Sequence, residues 1–550
     1  MTGAERWNAV VKECLFRVFS IPVRFFIALL IYFSWGPLAG GVVTAPVPEF
    51  SSPALIPYPS KVVRGAGEAG FRSVHVKVGP DVPGRDDLMR EIKDIFRTSG
   101  IQGSLNSGRA AEGAMTWELF PDARMKGEGY DLSVGLGKAT VRAGSFGGFF
   151  NALQTLRQLV FNREGEFAMP VVRISDKPAF VLRGIMLDVG RYYMSPALIK
   201  EVMRRLSRYK INTLHLHLTD DPAWRMEVKK YPALTDGAFH WKSRLPGRFY
   251  TQAQLKDLTD YCARLNIQVI PEIDMPGHSQ PFARAMKTGM QTEKGVSILK
   301  DVVDEAVSLF PGRFFHMGSD EAHISMKDFI PRMAEHIRGK GKEVVVWSPG
   351  GPHDKDSVLM CWGENEAGAR MDKNMKRIDS NGFYIDWADS QSGVYQVFFQ
   401  QPCEVPQGDD KALGAIMPVW CDGNLSSERR VLEQYPFYPC ALTFAERVWR
   451  GSATKRRDYM AQLPPRGTDG WKEFREFEQR LAFHRDHFFQ GVPFAYVKQA
   501  DVAWSLVGPF DHRGKNDTSF EPERRIAPSY RDGDRILAWK KTPVYGAAVH

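Results

Sequence analysis

Between residues 184 and 420 the chain repeats one pattern: a short β-rich apolar run, followed in most cases by a stretch of helical periodicity. The runs are Gly184–Val189, Thr213–Leu218, Gln268–Ile273, Phe314–Gly318, Glu343–Trp347, Val358–Cys361, Gly382–Ile385 and Ile416–Trp420. Continuous apolar runs suit strands buried on both faces, and parallel strands need long crossovers between them. One crossover is plain. Ser195 is placed to cap it, Pro196 falls in its first turn, and Leu198, Ile199, Val202, Met203, Leu206 and Tyr209 share a face. Eight such units are the count of a (β/α)8 TIM barrel, so the expected fold class is α/β. The link between the fifth and sixth runs is too short for a full helix. A doubly wound open sheet is the competing arrangement.

The flanking segments differ in character. Residues 1–45 carry Lys12, Arg17 and Arg24, then the apolar run Phe25–Trp35 and small residues from Leu38 to Ala45. These are the three parts of a secretory signal, and the run is shorter than the roughly 20 residues that span a bilayer. An exported protein with no stable membrane span is expected, an uncleaved anchor being the alternative. Residues 46–175, with an extended Pro- and Ser-rich lead-in to residue 60, read as a small α+β domain. Its strand-like stretches are Ser73–Val78, Met115–Phe120, Tyr130–Val134 and Ala139–Ala143. Its helical ones lie around Asp86–Thr98 and Phe146–Phe161. Ser175-Asp176-Lys177-Pro178 marks the boundary to a barrel domain over 176–490. Residues 491–550 are a C-terminal appendage, too short for a full β-sandwich module.

Composition narrows the function classes. The chain has 73 Lys and Arg against 64 Asp and Glu, a net +9. The basic residues are scattered among acids with no run interleaved with aromatics, so no nucleic-acid partner is expected. With 43% apolar residues, extended disorder is excluded. The six cysteines form no CxxC pair, which excludes a zinc ribbon; a Cys421–Cys440 bridge stays open.

In a barrel of this kind the chemistry sits at the C-terminal ends of the strands. Here those ends read Asp188 to Arg191, Asp220-Asp221, Asp274 to His278, Asp320-Glu321, Trp347, Trp362, Tyr384 to Asp386, and Trp420 to Asp422. A ring of acids and indoles is what a carbohydrate site needs: sugar C–H faces lie on aromatic rings while hydroxyls bond to charged groups. Adjacent residues such as Asp320 and Glu321 point to opposite faces of a strand, so both reach one substrate only from a strand end or turn. That arrangement favours distinct roles for the two carboxylates.

Several of these segments, in order, resemble glycoside hydrolase family 20, the β-N-acetylhexosaminidases. His316-Met-Gly-Ser-Asp320-Glu321 is similar to that family's HxGGDE signature. Arg183 to Arg191, His215 to Arg225, Pro271 to His278, Tyr384-Ile-Asp386, Trp420-Cys-Asp422 and Ala445 to Trp449 resemble its other motifs. The likeness spans about residues 50–490, including Ile56-Pro-Tyr-Pro59.

The resemblance implies an exo-acting, retaining enzyme that removes terminal β-linked GlcNAc or GalNAc by substrate-assisted catalysis, an exception to the two-carboxylate scheme. It implies Glu321 as general acid and base, Asp320 as the group that orients the acetamido nitrogen, and Tyr384 as donor to the acetamido oxygen. Arg191 and Asp422 would hold sugar hydroxyls, and Asp386 would be a further substrate-binding residue. Trp347, Trp362 and Trp420 would enclose the sugar, and Asp220 and His278 would support Glu321.

No cofactor or metal is expected. The partner is an oligosaccharide or glycoconjugate ending in β-linked N-acetylhexosamine. Release of a disaccharide, a catalytically silent sugar-binding barrel, and a zinc hydrolase built on His215 and His217 are the alternatives. Bland roles are expected elsewhere. Arg183 and Asp188 would form a buried ion pair, Glu446, Arg447 and Trp449 would pack, and His316 would be a core histidine. The chain departs from the family pattern at Ser319 (usually Gly), Asp422 (usually Glu) and Tyr192 (commonly His).

Overall fold

The computed structural model describes residues 53–496 apart from 107–109, 164–165, 364–371, 386–391, 424, 434, 453–463 and 466, together with three short strands after residue 500. The first sheet is built from β1 (Lys61–Phe71), β2 (Ser73–Val78), β3 (Gln102–Leu105), β4 (Ala114–Pro121), β5 (Tyr130–Gly135), β6 (Lys138–Ala143), β7 (Phe161–Arg163) and β8 (Glu166–Asp176). Its order is β1-β8-β5-β6-β4-β2-β3, with β7 beside β8. Burial alternates residue by residue along β5 and β6, so one face is apolar and the other wet. Helices α1 (Arg85–Ser99) and α2 (Phe146–Leu159) pack together, and α2 lies on β5 and β6. The strands not expected from the sequence are β1, β3, β7 and β8. Most of β1 is exposed at the sheet edge, where no apolar alternation is required.

The second unit is a closed parallel barrel. Its strands are β9 (Leu182–Asp188), β10 (Thr213–His217), β13 (Gln268–Glu272), β14 (Phe314–His316), β15 (Glu343–Ser348), β16 (Val358–Cys361), β17 (Lys376–Asp379) and β18 (Ala412–Val419). The short pair β11 (Thr219–Asp220) and β12 (Ala223–Trp224) lies in the loop after β10. β18 closes on β9 with Ile416 opposite Gly184. Every residue of β9, β10 and β18 is buried, as strands covered on both faces require. Helix α3 (Pro196–Ser207) follows β9, with the Ser195 hydroxyl accepting from the Leu198 amide. Residues 349–357, between β15 and β16, contain no helix.

One strand differs from expectation. The seventh is Lys376–Asp379, and Gly382–Ile385 is the loop after it. The strand begins Lys-Arg and carries little apolar signal, whereas Phe383 and Ile385 look like strand because they are fully buried. Ser380 and Asn381 turn the chain there by donating their amides to the Cys361 carbonyl.

The two units are joined around Asp176, at the end of β8. Its carboxylate accepts from Tyr130 Oη at 2.7 Å, Lys210 Nζ at 3.0 Å, Trp449 Nε1 at 3.0 Å and the Ser60 amide at 2.9 Å. The predicted Arg183–Asp188 pair does not form. Arg183 instead reaches Glu128 of the first unit at 2.6 Å, and Asp188 turns inward to Arg191. Strand alternation separates the two side chains, and Glu128 supplies a nearer anion. Glu446 is buried between Arg480 and Arg450 and accepts from the Tyr58 amide, so this segment packs as expected. Cys421 and Cys440 are both buried, and no disulfide joins them.

The three C-terminal strands, Ala503–Ser505, Ser529–Asp532 and Arg535–Leu537, form a small antiparallel sheet. Among the described residues no helix is long and apolar enough to cross a membrane.

Removing one partner of a buried ion pair strands the other charge, at a cost of about 3–5 kcal/mol. Asp176→Ala leaves Lys210 in that position, so urea unfolding should show a loss of about this size. A loss below about 1 kcal/mol would show that the joint is not held by this charge.

Candidate active site

The loops after the barrel strands bring most of the expected residues to one end. β14 stops at His316 and the chain turns sharply through Gly318, Ser319 and Glu321, all at positive φ (68°, 84° and 50°). This turn resolves the problem posed by two adjacent carboxylates, because it breaks the alternation that would send Asp320 and Glu321 to opposite faces. Gly318 is required there: a Cβ on it would lie 1.9 Å from Asp274 Oδ1. Ser319 has no such freedom, and its buried hydroxyl has no hydrogen-bond partner.

A chain of alternating charges supports Glu321. His278 Nε2 lies 3.4 Å from Glu321 Oε2, and its Nδ1 lies 3.5 Å from Asp220 Oδ1. Burial works against a charged His278, but its hydrogen bonds to Asp220 and Glu321 raise its pKa to about 11. His217 Nε2 contacts Asp220 Oδ2 at 2.9 Å, and Arg191 Nη2 contacts the same oxygen at 3.1 Å. Burial also disfavours the Asp220 anion, yet Arg191, His217 and His278 hold its pKa well below the carboxylate range.

Arg191 is gripped further by Asp188 at 3.2 Å and Asp422 at 3.1 Å, and it lies 4.8 Å over the Trp420 ring. The Asp422 side chain is exposed and is available to a ligand from the same position.

Asp320 stands in the opposite electrostatic situation. Burial raises its pKa most, the carboxylates of Asp274, Glu272 and Glu321 add to that, and it reaches about 8. Asp274 is raised to about 7 by burial and by Glu272. Two neighbouring carboxyl groups are thus held near the point of protonation at neutral pH.

The aromatic residues form a floor and a wall. Trp347 is buried, 5.9 Å from Trp420, and donates Nε1 to Glu272 Oε1 at 2.7 Å. Trp420 and Trp362 are half-buried against the cluster that contains Trp347, and Trp362 donates to the Pro349 carbonyl. Buried Phe383 and Ile385 flank Tyr384, whose ring lies 6.4 Å from Trp420. Asp386 lies outside the described residues.

Sequence reasoning missed the group beneath this site. Glu272 was legible only as part of a motif, yet its carboxylate is fully buried. It accepts from His217 Nδ1 at 2.7 Å, with His215 Nε2 at 2.9 Å and His316 Nδ1 at 3.1 Å. His316 is a core histidine as expected, with Nδ1 accepting from the Gly318 amide. His215, Glu272 and His316 are close enough to hold a metal ion. However, the His217 and Trp347 bonds already occupy the Glu272 carboxylate, and the rings of His215 and His316 stack on each other. This donor set does not fit a catalytic metal.

Residues 180–294 match the family model described as glycosyl hydrolase family 20, catalytic domain, and residues 52–177 match that for domain 2 of the same family. The chain is similar to a beta-N-acetylhexosaminidase of Cellulomonas fimi, with 30% identity over 444 residues, 71% of this chain and 84% of that one. It is 31% identical over 408 residues to a beta-hexosaminidase of Porphyromonas gingivalis, 60% of this chain and 52% of that one. It therefore spans about half the length of that relative, and 63% of a Vibrio furnissii beta-hexosaminidase. Among solved structures it resembles a chitobiase of Flavobacterium johnsoniae, with TM-score 0.64, 25% identity, and coverage of 78% of this chain and 72% of that one. The fold also matches Streptomyces plicatus N-acetyl-beta-hexosaminidase in complex with Thio-NAglucal, with TM-score 0.68, 23% identity, and coverage of 83% and 98%.

A left-handed serine costs roughly 1–2 kcal/mol that glycine avoids, partly offset by the greater freedom of glycine in the unfolded chain. Ser319→Gly should therefore raise stability, by roughly 1 kcal/mol in thermal unfolding. A fall in stability would mean that the serine hydroxyl makes a bond that offsets the strain.

Proposed function

The chain belongs to glycosyl hydrolase family 20, and on that footing we propose that it is an exo-acting, retaining β-N-acetylhexosaminidase. The observation that carries this reading is the turn at residues 318–321. It delivers Glu321 to His278 and sets Asp320 among carboxylates beside an aromatic floor. Glu321 protonates the departing glycosidic oxygen and later takes a proton from water. The acetamido oxygen of the substrate attacks its own anomeric carbon, and the aglycone leaves with the proton from Glu321. Water then opens the cyclised oxazolinium intermediate with net retention.

Asp320, as a carboxylate, accepts the acetamido N–H and stabilises the positive charge that develops. Tyr384 donates to the acetamido oxygen. Arg191 and Asp422 hold sugar hydroxyls over Trp347, Trp362 and Trp420. Asp220 and His278 position Glu321. The natural substrates are glycans ending in β-linked N-acetylhexosamine. The basic, apolar and small-residue segments of residues 1–45 support action outside the cytoplasm.

The direct test is hydrolysis of nitrophenyl β-glycosides. A glucoside lacks the acetamido nucleophile, so discrimination should exceed the roughly 10–200-fold that a lost apolar contact supplies. Glu321→Gln should reduce turnover of unactivated disaccharides by about 10²–10⁴-fold and that of nitrophenyl substrates by less. Glucoside hydrolysis within tenfold of the GlcNAc substrate, or equal losses on both leaving groups, overturns the mechanism.

The pH dependence supplies a second test. If Asp320 acts as the anion, kcat/KM falls as pH drops through its raised pKa, near 8. Asp274→Asn removes a neighbouring negative charge, which lowers the Asp320 pKa and moves the acid limb to lower pH. An acid limb that stays in place shows that Asp320 is not the group that titrates.

A further inference from the structure

Resting on the hydrolase reading above, we propose that Trp241 is the platform for the aglycone sugar, the ring whose oxygen departs when the glycosidic bond breaks. Among the described tryptophans it is the one with more than a third of its surface exposed. It sits in the loop 240–250, between β12 and helix α4 (Gln252–Ala263), and two buried arginines fasten that loop across the mouth of the barrel.

Arg225 donates to Val189 and Gly190 after the first barrel strand, at 3.1 and 3.3 Å, and to the loop carbonyls of Arg244, Leu245 and Arg248 at 2.6–2.8 Å. Arg244 in turn donates to the carbonyls of Cys421, Asp422 and Gly423 after the eighth strand. Trp241 is thereby held in one place. Its amide donates to the Pro222 carbonyl at 2.9 Å, and its indole N–H reaches Gln280 Oε1 at 3.3 Å.

That indole contact gives the platform its place in the reaction. Gln280 donates its amide to Asp221 and lies two residues beyond His278, which touches Glu321. The exposed ring is therefore tied to the segment that carries His278, whose imidazole touches the carboxyl group that protonates the leaving oxygen. The opposite side of the loop is tied to Asp422, which together with Arg191 holds the non-reducing sugar. A rigid, exposed indole face at that border matches the C–H face of a pyranose. No step in cleaving the bond needs this ring, so its role is to select substrates whose aglycone is itself a sugar.

The experiment compares chitobiose with methyl β-GlcNAc, which has the same terminal sugar but no aglycone ring. Trp241→Ala should lower the ratio of kcat/KM for chitobiose over the methyl glycoside by about fivefold or more, and Trp241→Phe should keep most of it. A smaller fall, or an equal fall with Phe, overturns the proposal. Binding to the Glu321→Gln protein, measured by calorimetry, separates the two readings. Chitobiose should bind more tightly than GlcNAc, and Trp241→Ala should erase that margin. Equal binding of the two sugars before the Trp241 change overturns the platform. A tryptophan-dependent margin in a wild-type protein that cleaves neither substrate leaves the platform standing and overturns the hydrolase reading.

Discussion

A single carboxylate on the barrel axis, that of Glu272, sets the orientation of the groups above it. Wholly buried, it is tolerable only if charge and hydrogen bonds compensate it. Burial alone would protonate it, but the charge on His217, with His316 and His215 close beside it, holds its pKa well below the carboxylate range. His217, raised well above its ordinary value by Glu272 and Asp220 against its own burial, donates at both ring nitrogens. That fixes Asp220 as an anion, and Asp220 orients Arg191 and His278. The Trp347 indole N–H is spent on the other Glu272 oxygen, so its ring lies as a floor. From axis to mouth the signs alternate: Glu272, His217, Asp220, His278, Glu321. Each charge is stable because the next is opposite.

The other side of the site is arranged to the contrary rule. Asp274, Asp320 and Glu272 crowd like charges where Gly318 allows close approach, and burial adds to their repulsion. A site with surplus negative potential and few compensating donors suits a ligand that develops positive charge during reaction. The strained turn through Ser319 and Glu321 is the structural cost of placing an electrically satisfied carboxyl beside an electrically frustrated one. A regular strand end would have offered one or the other.

The barrel was legible because most of its strands are buried on both faces, so apolar runs mark seven of the eight. Legibility failed where burial and strand geometry part company. Lys376–Asp379 is a strand with a charged start, while Phe383 and Ile385 are buried loop residues that anchor Tyr384 from either side. It failed at β1 because an exposed edge strand has no apolar rhythm. Arg183 and Asp188 look like partners in sequence, but their partners come from Glu128 and Arg191, a choice made by tertiary contact. Of the expected site residues, those at the strand ends are brought together as a ring. The reason that ring holds its shape, Glu272 with its histidines, looks in sequence like ordinary strand interior.

The rim obeys a different economy from the core. Loop 240–250 is fastened chiefly through backbone carbonyls accepting from Arg225 and Arg244, and carbonyls are supplied by any residue. Apart from Arg244, side chains on that loop can therefore vary without disturbing either the clamp or the charge chain below. On the proposed reading, the terminal sugar is held by groups whose positions the buried Glu272 dictates, and these tolerate little change. On the same reading, what stands beyond the scissile bond is met by side chains, Trp241 first among them, that the fold leaves free to differ. Chemistry and substrate choice would thus be carried by separate mechanical parts of one barrel.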